Sequence, residues 1–248
     1  MNATSASPAE PHAPQAGTRR VLVWDAPVRL FHWLTVLSVA GAYLTAESER
    51  WRLLHVTLGY TMAGLVVFRL LWGLVGTRHA RFGSFVRGPA AVARYLRSLI
   101  VGAPEHHTGH NPAGGWAILG LLVLPLAIVA SGHAIYNDIG GEWLEEAHEI
   151  AAFVLLAVVI GHVLGVAVVS FLQRENLVLP LVTGRKPGVA GAGIRSSRPV
   201  VALLLVAALA ALWLPGLAGR ERRQAAREHA AALVEDGARP DTGTRHLD

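Results

Sequence analysis

Apolar residues gather along this chain into long runs broken by clusters of charge. The runs extend from about Val28 to Ala46, Leu53 to Val75, Gly115 to Tyr136 and Ala147 to Leu172. Each is close to the roughly 20 residues that a helix needs to cross a bilayer. Short polar turns join the first run to the second and the third to the fourth, which predicts two antiparallel neighbouring pairs. A fifth apolar run lies between Val200 and Leu217. The pattern predicts an all-α integral membrane protein: an up-and-down bundle of four transmembrane helices with a fifth, C-terminal one. After Gly88-Pro89, residues Ala91, Val92, Tyr95, Leu96, Leu99 and Ile100 fall on one helical face, with Arg94 and Arg97 toward another. That spacing suits a helix lying along the membrane surface.

Composition agrees with a chain whose main solvent is lipid. Of its 248 residues 52% are hydrophobic and 16% charged, and the mean hydropathy is +0.41, too little polar surface for a soluble domain. Without cysteine there can be no disulfide, iron–sulfur cluster or thioether-attached haem. The pI of 10.4 comes largely from Arg residues beside apolar runs, which suits a membrane surface, and no nucleic-acid motif is present. Met1–Thr18 is rich in Ala, Pro and Ser, lacks an apolar signal-peptide core, and is expected to be a disordered tail. The expected organisation is a tail over 1–19, a transmembrane domain over 20–186, a linker and fifth helix over 187–219, and a polar tail over 220–248.

The Arg residues orient the chain. Arg19, Arg20 and Arg29 precede the first span; Arg78, Arg81, Arg87, Arg94 and Arg97 lie between the second and third; Arg174, Arg185, Lys186, Arg195 and Arg198 follow the fourth. The positive-inside rule assigns these segments to the cytoplasm. The other two connections, one mixed with Glu47, Glu49, Arg50 and Arg52 and one acidic with Asp138, Glu142, Glu145 and Glu146, are then outside. The expected topology is multi-pass, with the N-terminus cytoplasmic. "Inner" and "outer" below carry this meaning.

Ionisable side chains inside a membrane are costly and mark function. His32 falls near the inner end of the first span, His55 at the outer end of the second, His148 at the outer start of the fourth, and His162 deeper in that helix. Fourteen residues separate His148 from His162, two heptads that return to one face in a left-handed bundle. At about 1.5 Å per residue they stand roughly 21 Å apart, too far to share a metal. The spacing suits one ligand in each of two stacked haem sites, with His32 completing the inner and His55 the outer. Two axial imidazoles close both free positions of the iron and favour electron transfer. Gly59, one turn beyond His55, and Gly165, near His162, either let a flat ring approach or serve helix packing. Arg69, and Arg29 or Arg52 nearer the ends, either pair with haem propionates or snorkel to lipid phosphate. His133 competes with His55 or His148 at the outer level; otherwise it is structural, held by Ser131 or by the polar outer end. His106, His107 and His110 have no carboxylate or cysteine at ligand spacing and read as a solvated loop.

The stretch Val23-Trp24-Asp25-Ala26-Pro27-Val28-Arg29-Leu30-Phe31-His32-Trp33 resembles the entry to the first helix of the bacterial cytochrome b561 and nickel hydrogenase cytochrome b family. Leu54-His55-Val56-Thr57-Leu58-Gly59-Tyr60, Phe68-Arg69-Leu70-Leu71-Trp72-Gly73, Gly109-His110-Asn111-Pro112-Ala113-Gly114-Gly115, and Arg174-Glu175-Asn176-Leu177 with Thr183-Gly184-Arg185-Lys186 resemble its other landmarks. The resemblance covers roughly Arg20 to Lys186. It implies a four-helix core with two haems b, ligated by His32 with His162 and by His55 with His148. It also implies a location in a bacterial inner membrane and electron transfer between a quinone pool and a redox partner, either a hydrogenase subunit or a c-type cytochrome. The fifth run extends beyond the resemblance and weakens direct transfer of the hydrogenase role.

The expected function is therefore a di-haem b-type cytochrome linked to quinone, with the membrane subunit of a nickel–iron hydrogenase as the alternative. From another class, a haem-free transporter or scaffold would use the histidines as polar helix contacts or a proton relay. Lipid is an expected partner throughout, and a second copy of the chain, forming a homodimer, is a further candidate. No residue reads as a general acid, base or nucleophile. The topology is directly testable because the native chain has no cysteine. A cysteine placed at Ser84 should resist a membrane-impermeant thiol reagent in intact cells and react once the membrane is opened; labelling in intact cells would invert the orientation.

Overall fold

A computed structural model describes residues 19–101, 110–189 and 191–214. The chain starts with a short strand, β1 (Arg19–Leu22), and continues through α1 (Ala26–Thr45), α2 (Arg52–Val75), α3 (Pro89–Ile100), α4 (Pro112–Tyr136), α5 (Glu142–Gln173), the short α6 (Leu179–Thr183) and a second strand, β2 (Arg185–Gly188). Helices α1, α2, α4 and α5 have the length and apolarity to cross a membrane, and they coincide with the four predicted spans. The expected tail lies outside the described residues except for Arg19, which belongs to β1. The fifth run forms helix α7 over Pro199–Leu214, and its expected continuation to Leu217 lies outside them.

The bundle packs as its connections predict. The closest neighbours are α4 with α5 and α1 with α2, and α2 also packs on α4. On α1, Gly41 lets the Leu58 side chain of α2 approach so closely that a Cβ there would stand 2.8 Å from it. The Tyr43 hydroxyl donates to the Ala152 carbonyl and ties α1 to α5. Side chains facing away from the bundle are apolar and open: Leu44 is 85% exposed and Phe171 83%, as lipid contact requires. Several hydroxyls in the spans are satisfied within their own helices. Thr45 donates to Gly41 O, Thr57 to Leu53 O and Thr61 to Thr57 O, since hydrocarbon offers no water for the purpose.

Helix starts are written in the sequence. Asp25 caps α1 by accepting from Val28 N at 2.8 Å, with Pro27 in the first turn; Asn111 caps α4 by accepting from Gly114 N at 2.7 Å, with Pro112 at the first helical position. Both are the expected pairing of an oxygen-bearing cap with a proline that needs no N–H partner.

The inner end carries a structure that periodicity did not predict. Strands β1 and β2 pair antiparallel, Arg19 opposite Gly188 and Leu22 opposite Arg185. The expected linker thus begins in a strand docked on the chain's own N-terminal segment. Val23 N and Trp24 N donate to Gly184 O, Ile194 N to Leu22 O, and Ala26 N to Ser197 O. Gly184 adopts φ +77°, and a Cβ there would meet Trp24 O at 2.9 Å, so this turn needs glycine twice over. Arg29 Nη1 donates to Val182 O and Trp33 Nε1 to Leu181 O, latching α1 onto α6. Val23, Trp24, Val28 and Ala80 form the core of this cap. At its centre, Asp25 is fully buried and its Oδ2 accepts from Trp72 Nε1 at 3.0 Å and Thr77 Oγ1 at 2.5 Å. One carboxylate therefore joins the start of α1 to the end of α2.

Helix α3 forms as expected, but its faces divide differently. Tyr95 is buried and Ala91, Val92 and Leu99 are partly covered, whereas Leu96 and Ile100 are exposed. The helix packs on α4, so one side turns toward protein and Leu96 and Ile100 remain for lipid. Removing the Asp25 carboxylate should leave three donors unsatisfied. Asp25→Ala is expected to destabilise the fold by about 2–4 kcal/mol, read as a lowered unfolding midpoint in detergent; an unchanged midpoint would contradict the role given to this cap.

A bis-histidine candidate site and the family it belongs to

The outer pair comes together as predicted. His55 on α2 and His148 on α5 have ring centroids 6.4 Å apart, with planes inclined by 65°. Each imidazole is held by one nitrogen: His55 Nδ1 donates to Ala42 O at 2.9 Å, and His148 Nδ1 lies 3.0 Å from Ser131 Oγ, with the backbone of Ile128 also in range. With Nδ1 engaged, Nε2 is the nitrogen left for a ligand in both rings. This second-nitrogen anchoring orients an imidazole ligand and raises its basicity. A metal–imidazole bond of about 2 Å on each side would set two such centroids roughly 6 Å apart, so the spacing fits axial ligands on opposite faces of one metal.

Ser131 and Gly132 were not singled out for this role by the sequence reading, which offered Ser131 to His133. The structure gives Ser131 to His148, and a Cβ at Gly132 would stand 3.0 Å from the His148 ring. His133 instead meets Tyr60 Oη through Nδ1 at 2.8 Å, while Asn137 Nδ2 donates to its carbonyl. It belongs to the polar outer end, the other holder expected for it. The signal for Ser131 was its position one turn before the helix end, at the depth of His148 on the neighbouring helix.

At the inner level, His32 on α1 and His162 on α5 lie within electrostatic range of each other. No hydrogen bond involving His162 is present among the described residues, which leaves its nitrogens available. Gly59, Gly161 and Gly165 have no foreign atom within 4 Å of where a Cβ would stand. These glycines leave open space beside the histidine helices, the room a flat macrocycle needs. No cluster of three or more potential metal ligands occurs among the described residues. The donor set is thus two imidazoles per level, which suits a metal that brings its own equatorial ligands and does not suit a structural zinc site.

Arg69 is the buried cation of the site. It is 2% exposed, and its Nη1 has no hydrogen-bond partner. Its guanidinium stacks 5.0 Å from the Phe82 centroid and 5.9 Å from that of Phe85, and Gly73 makes room for the Phe82 ring. Asp25 lies within electrostatic range, but the carboxylate oxygens are engaged elsewhere. Of the other arginines considered for propionate pairing, Arg29 donates from Nη1 to Val182 O and keeps a buried Nε without a partner, while Arg52 is exposed.

His110 corrects an expectation. Its neighbours His106 and His107 lie outside the described residues, but His110 is no solvated loop residue. Its ring stands 4.5 Å from Trp24 on one side and 4.5 Å from Phe85 on the other, and Nδ1 is buried without a partner. Burial, followed by the charges of Arg69, His79, His162 and His32, pushes the imidazole down to about 3, so at pH 7 it is neutral, with one N–H to donate. The missed signal was Asn111-Pro112: a helix cap fixes the residue before it at the mouth of the bundle.

The profile described as prokaryotic cytochrome b561 matches residues 23–184, from the β1–α1 entry to the Gly184 turn. The chain belongs to the prokaryotic cytochrome b561 family. It is 23% identical over 226 residues to a probable Ni/Fe-hydrogenase B-type cytochrome subunit of Rhizobium leguminosarum bv. viciae, covering 72% of this chain and 94% of that protein. It is 23% identical over 209 residues to a probable Ni/Fe-hydrogenase 1 B-type cytochrome subunit of Escherichia coli (strain K12), with 65% and 88% covered. A probable Ni/Fe-hydrogenase B-type cytochrome subunit of Azotobacter chroococcum mcd 1 is 26% identical over 211 residues, with 66% and 87% covered. No solved structure matches the chain significantly. Membership makes this b561-type chain a multi-pass membrane cytochrome and implies haem b as its cofactor.

Proposed function

We propose that this chain is the membrane cytochrome b subunit of a redox complex, of nickel–iron hydrogenase type, holding two haems b and exchanging electrons between its partner and membrane quinone. The observation that carries the reading is the outer His55–His148 pair, with centroids at 6.4 Å and both Nδ1 atoms anchored. It is supported by the His32–His162 pair roughly 21 Å further along α5. The hydrogenase partner rests on the names of the relatives and comes ahead of the c-type cytochrome considered from sequence. The residues beyond 184, including α7, lie outside the family match and are the natural place for a partner contact peculiar to this chain.

Haem b, when bound, supplies a one-electron iron couple. The chain's own groups do the rest. His55 and His148 present Nε2 from opposite sides, held in line by Ala42 O and Ser131. His32 and His162 would hold the second haem nearer the cytoplasm. Lipid-facing side chains keep water from the interior, and two protein imidazoles at each site would leave the iron no position for an exchanging ligand. Ligands at two depths divide the passage across the low-dielectric core into short steps between the two surfaces.

The pairing makes a sharp expectation. His32→Ala and His162→Ala should each remove the same component in a redox titration of purified protein and leave the other, so that haem content falls from two per chain to one. His148→Ala should remove the second component and abolish reduction by an electron donor supplied at the outer face. If His32→Ala and His55→Ala erased the same component, the pairing would be wrong. A colourless wild-type protein would favour the haem-free transporter or scaffold.

A further inference from the structure

Two of the enclosed polar atoms at the inner level that lack partners lie around one aromatic ring. Arg69 Nη1 and His110 Nδ1 are both buried and unbonded, and Phe85 touches both side chains: its centroid is 5.9 Å from the Arg69 guanidinium carbon and 4.5 Å from the His110 ring. The two groups are within electrostatic range of each other and of His32 and His162. Leaving a buried donor unmade costs about 1–3 kcal/mol, and more for a charged one. Two such donors about one ring, one of them a cation, call for an anion. Asp25 does not fill it: Arg69 Nη1 has no hydrogen-bond partner, and the Asp25 oxygens are turned to Val28 N, Trp72 Nε1 and Thr77 Oγ1.

We propose that Arg69 and His110 form a carboxylate clamp that takes one propionate of the inner porphyrin, with His110 donating from Nδ1 and Arg69 from Nη1. The assignment rests on the haem reading above and adds His110 to the residues that hold the group. The geometry suits an amphiphilic ring. Arg69 lies six residues from the inner end of α2 and His110 just ahead of the inner end of α4, so the clamp stands at the polar border. The apolar macrocycle would then point inward, toward the His32–His162 pair. Trp24 and Phe85 hold the imidazole between two rings and keep water from competing for the carboxylate. Trp24 and Asp25 tie the clamp to the cap that starts α1, so one small region fixes both His32 and the anion site.

A clamp of this kind sets a potential as well as a position. Withdrawing a donor leaves the propionate more negative and favours the ferric state. In potentiometric titrations of the haem-loaded protein, His110→Leu is expected to lower the midpoint of the inner component by roughly a tenfold change in the ferric–ferrous ratio, about 59 mV for one electron. The outer component should be unmoved. His110→Asn, which keeps a donor near the position of Nδ1, should stay close to the wild type. Arg69→Gln should shift the same component downward, and the double variant by less than the sum. Should His110→Leu shed the inner haem, the asparagine variant decides: retained haem with a near-native midpoint supports the clamp, and loss or an unchanged deficit overturns it. Two haems with the inner midpoint untouched in His110→Leu would overturn the clamp alone. Absence of an inner haem from the wild type would overturn both the clamp and the reading beneath it.

Discussion

Imidazoles in hydrocarbon cannot be satisfied by water, and that constraint organises the interior of this bundle. Each polar atom placed within the spans must find a partner in the protein or in something the protein holds. Thr45, Thr57 and Thr61 meet the demand locally by bonding one turn back along their own helix. Histidine is too large for that solution, so His55 reaches across to Ala42 O on α1 and His148 to Ser131 on α4. In each case one nitrogen is engaged by the scaffold and the other makes no hydrogen bond among the described residues. The arrangement is costly as packing and sensible as ligation.

The same constraint explains the cap at the inner end. A cytochrome that holds groups at two depths needs its helices in fixed vertical register, since a slip of one turn is about 5.4 Å. Asp25 sets that register by starting α1 and binding Trp72 and Thr77 at the end of α2, while Gly184 accepts from Val23 and Trp24. The motifs around Trp24-Asp25, Trp72-Gly73 and Thr183-Gly184 are therefore mutual contacts of one cap. Their positions far apart in the sequence concealed this.

The spans, their pairing and the helix along the inner surface were legible because apolar periodicity and length are local properties. The four ligand candidates were legible because an ionisable group in an apolar run stands out. What stayed hidden depended on contact between distant segments. Strands β1 and β2 are four residues each, too short to show a period, and their pairing joins opposite ends of the family core. Ser131 was visible as a polar residue in α4, but only the packing of α4 on α5 assigns it to His148 and not to His133. His110 sat in a polar stretch that reads as solvent-exposed, and the closeness of Trp24 and Phe85 brings it inside.

The central claim is that α5 supplies one imidazole to each of two bis-histidine sites. Electron paramagnetic resonance of the oxidised, purified protein tests it most directly, because two strong axial nitrogens force ferric iron into the low-spin state. Two distinct low-spin ferric signals, together integrating to two irons per chain, are the predicted result. A single signal accounting for one iron, or a dominant high-spin signal from iron with an open axial position, would contradict it.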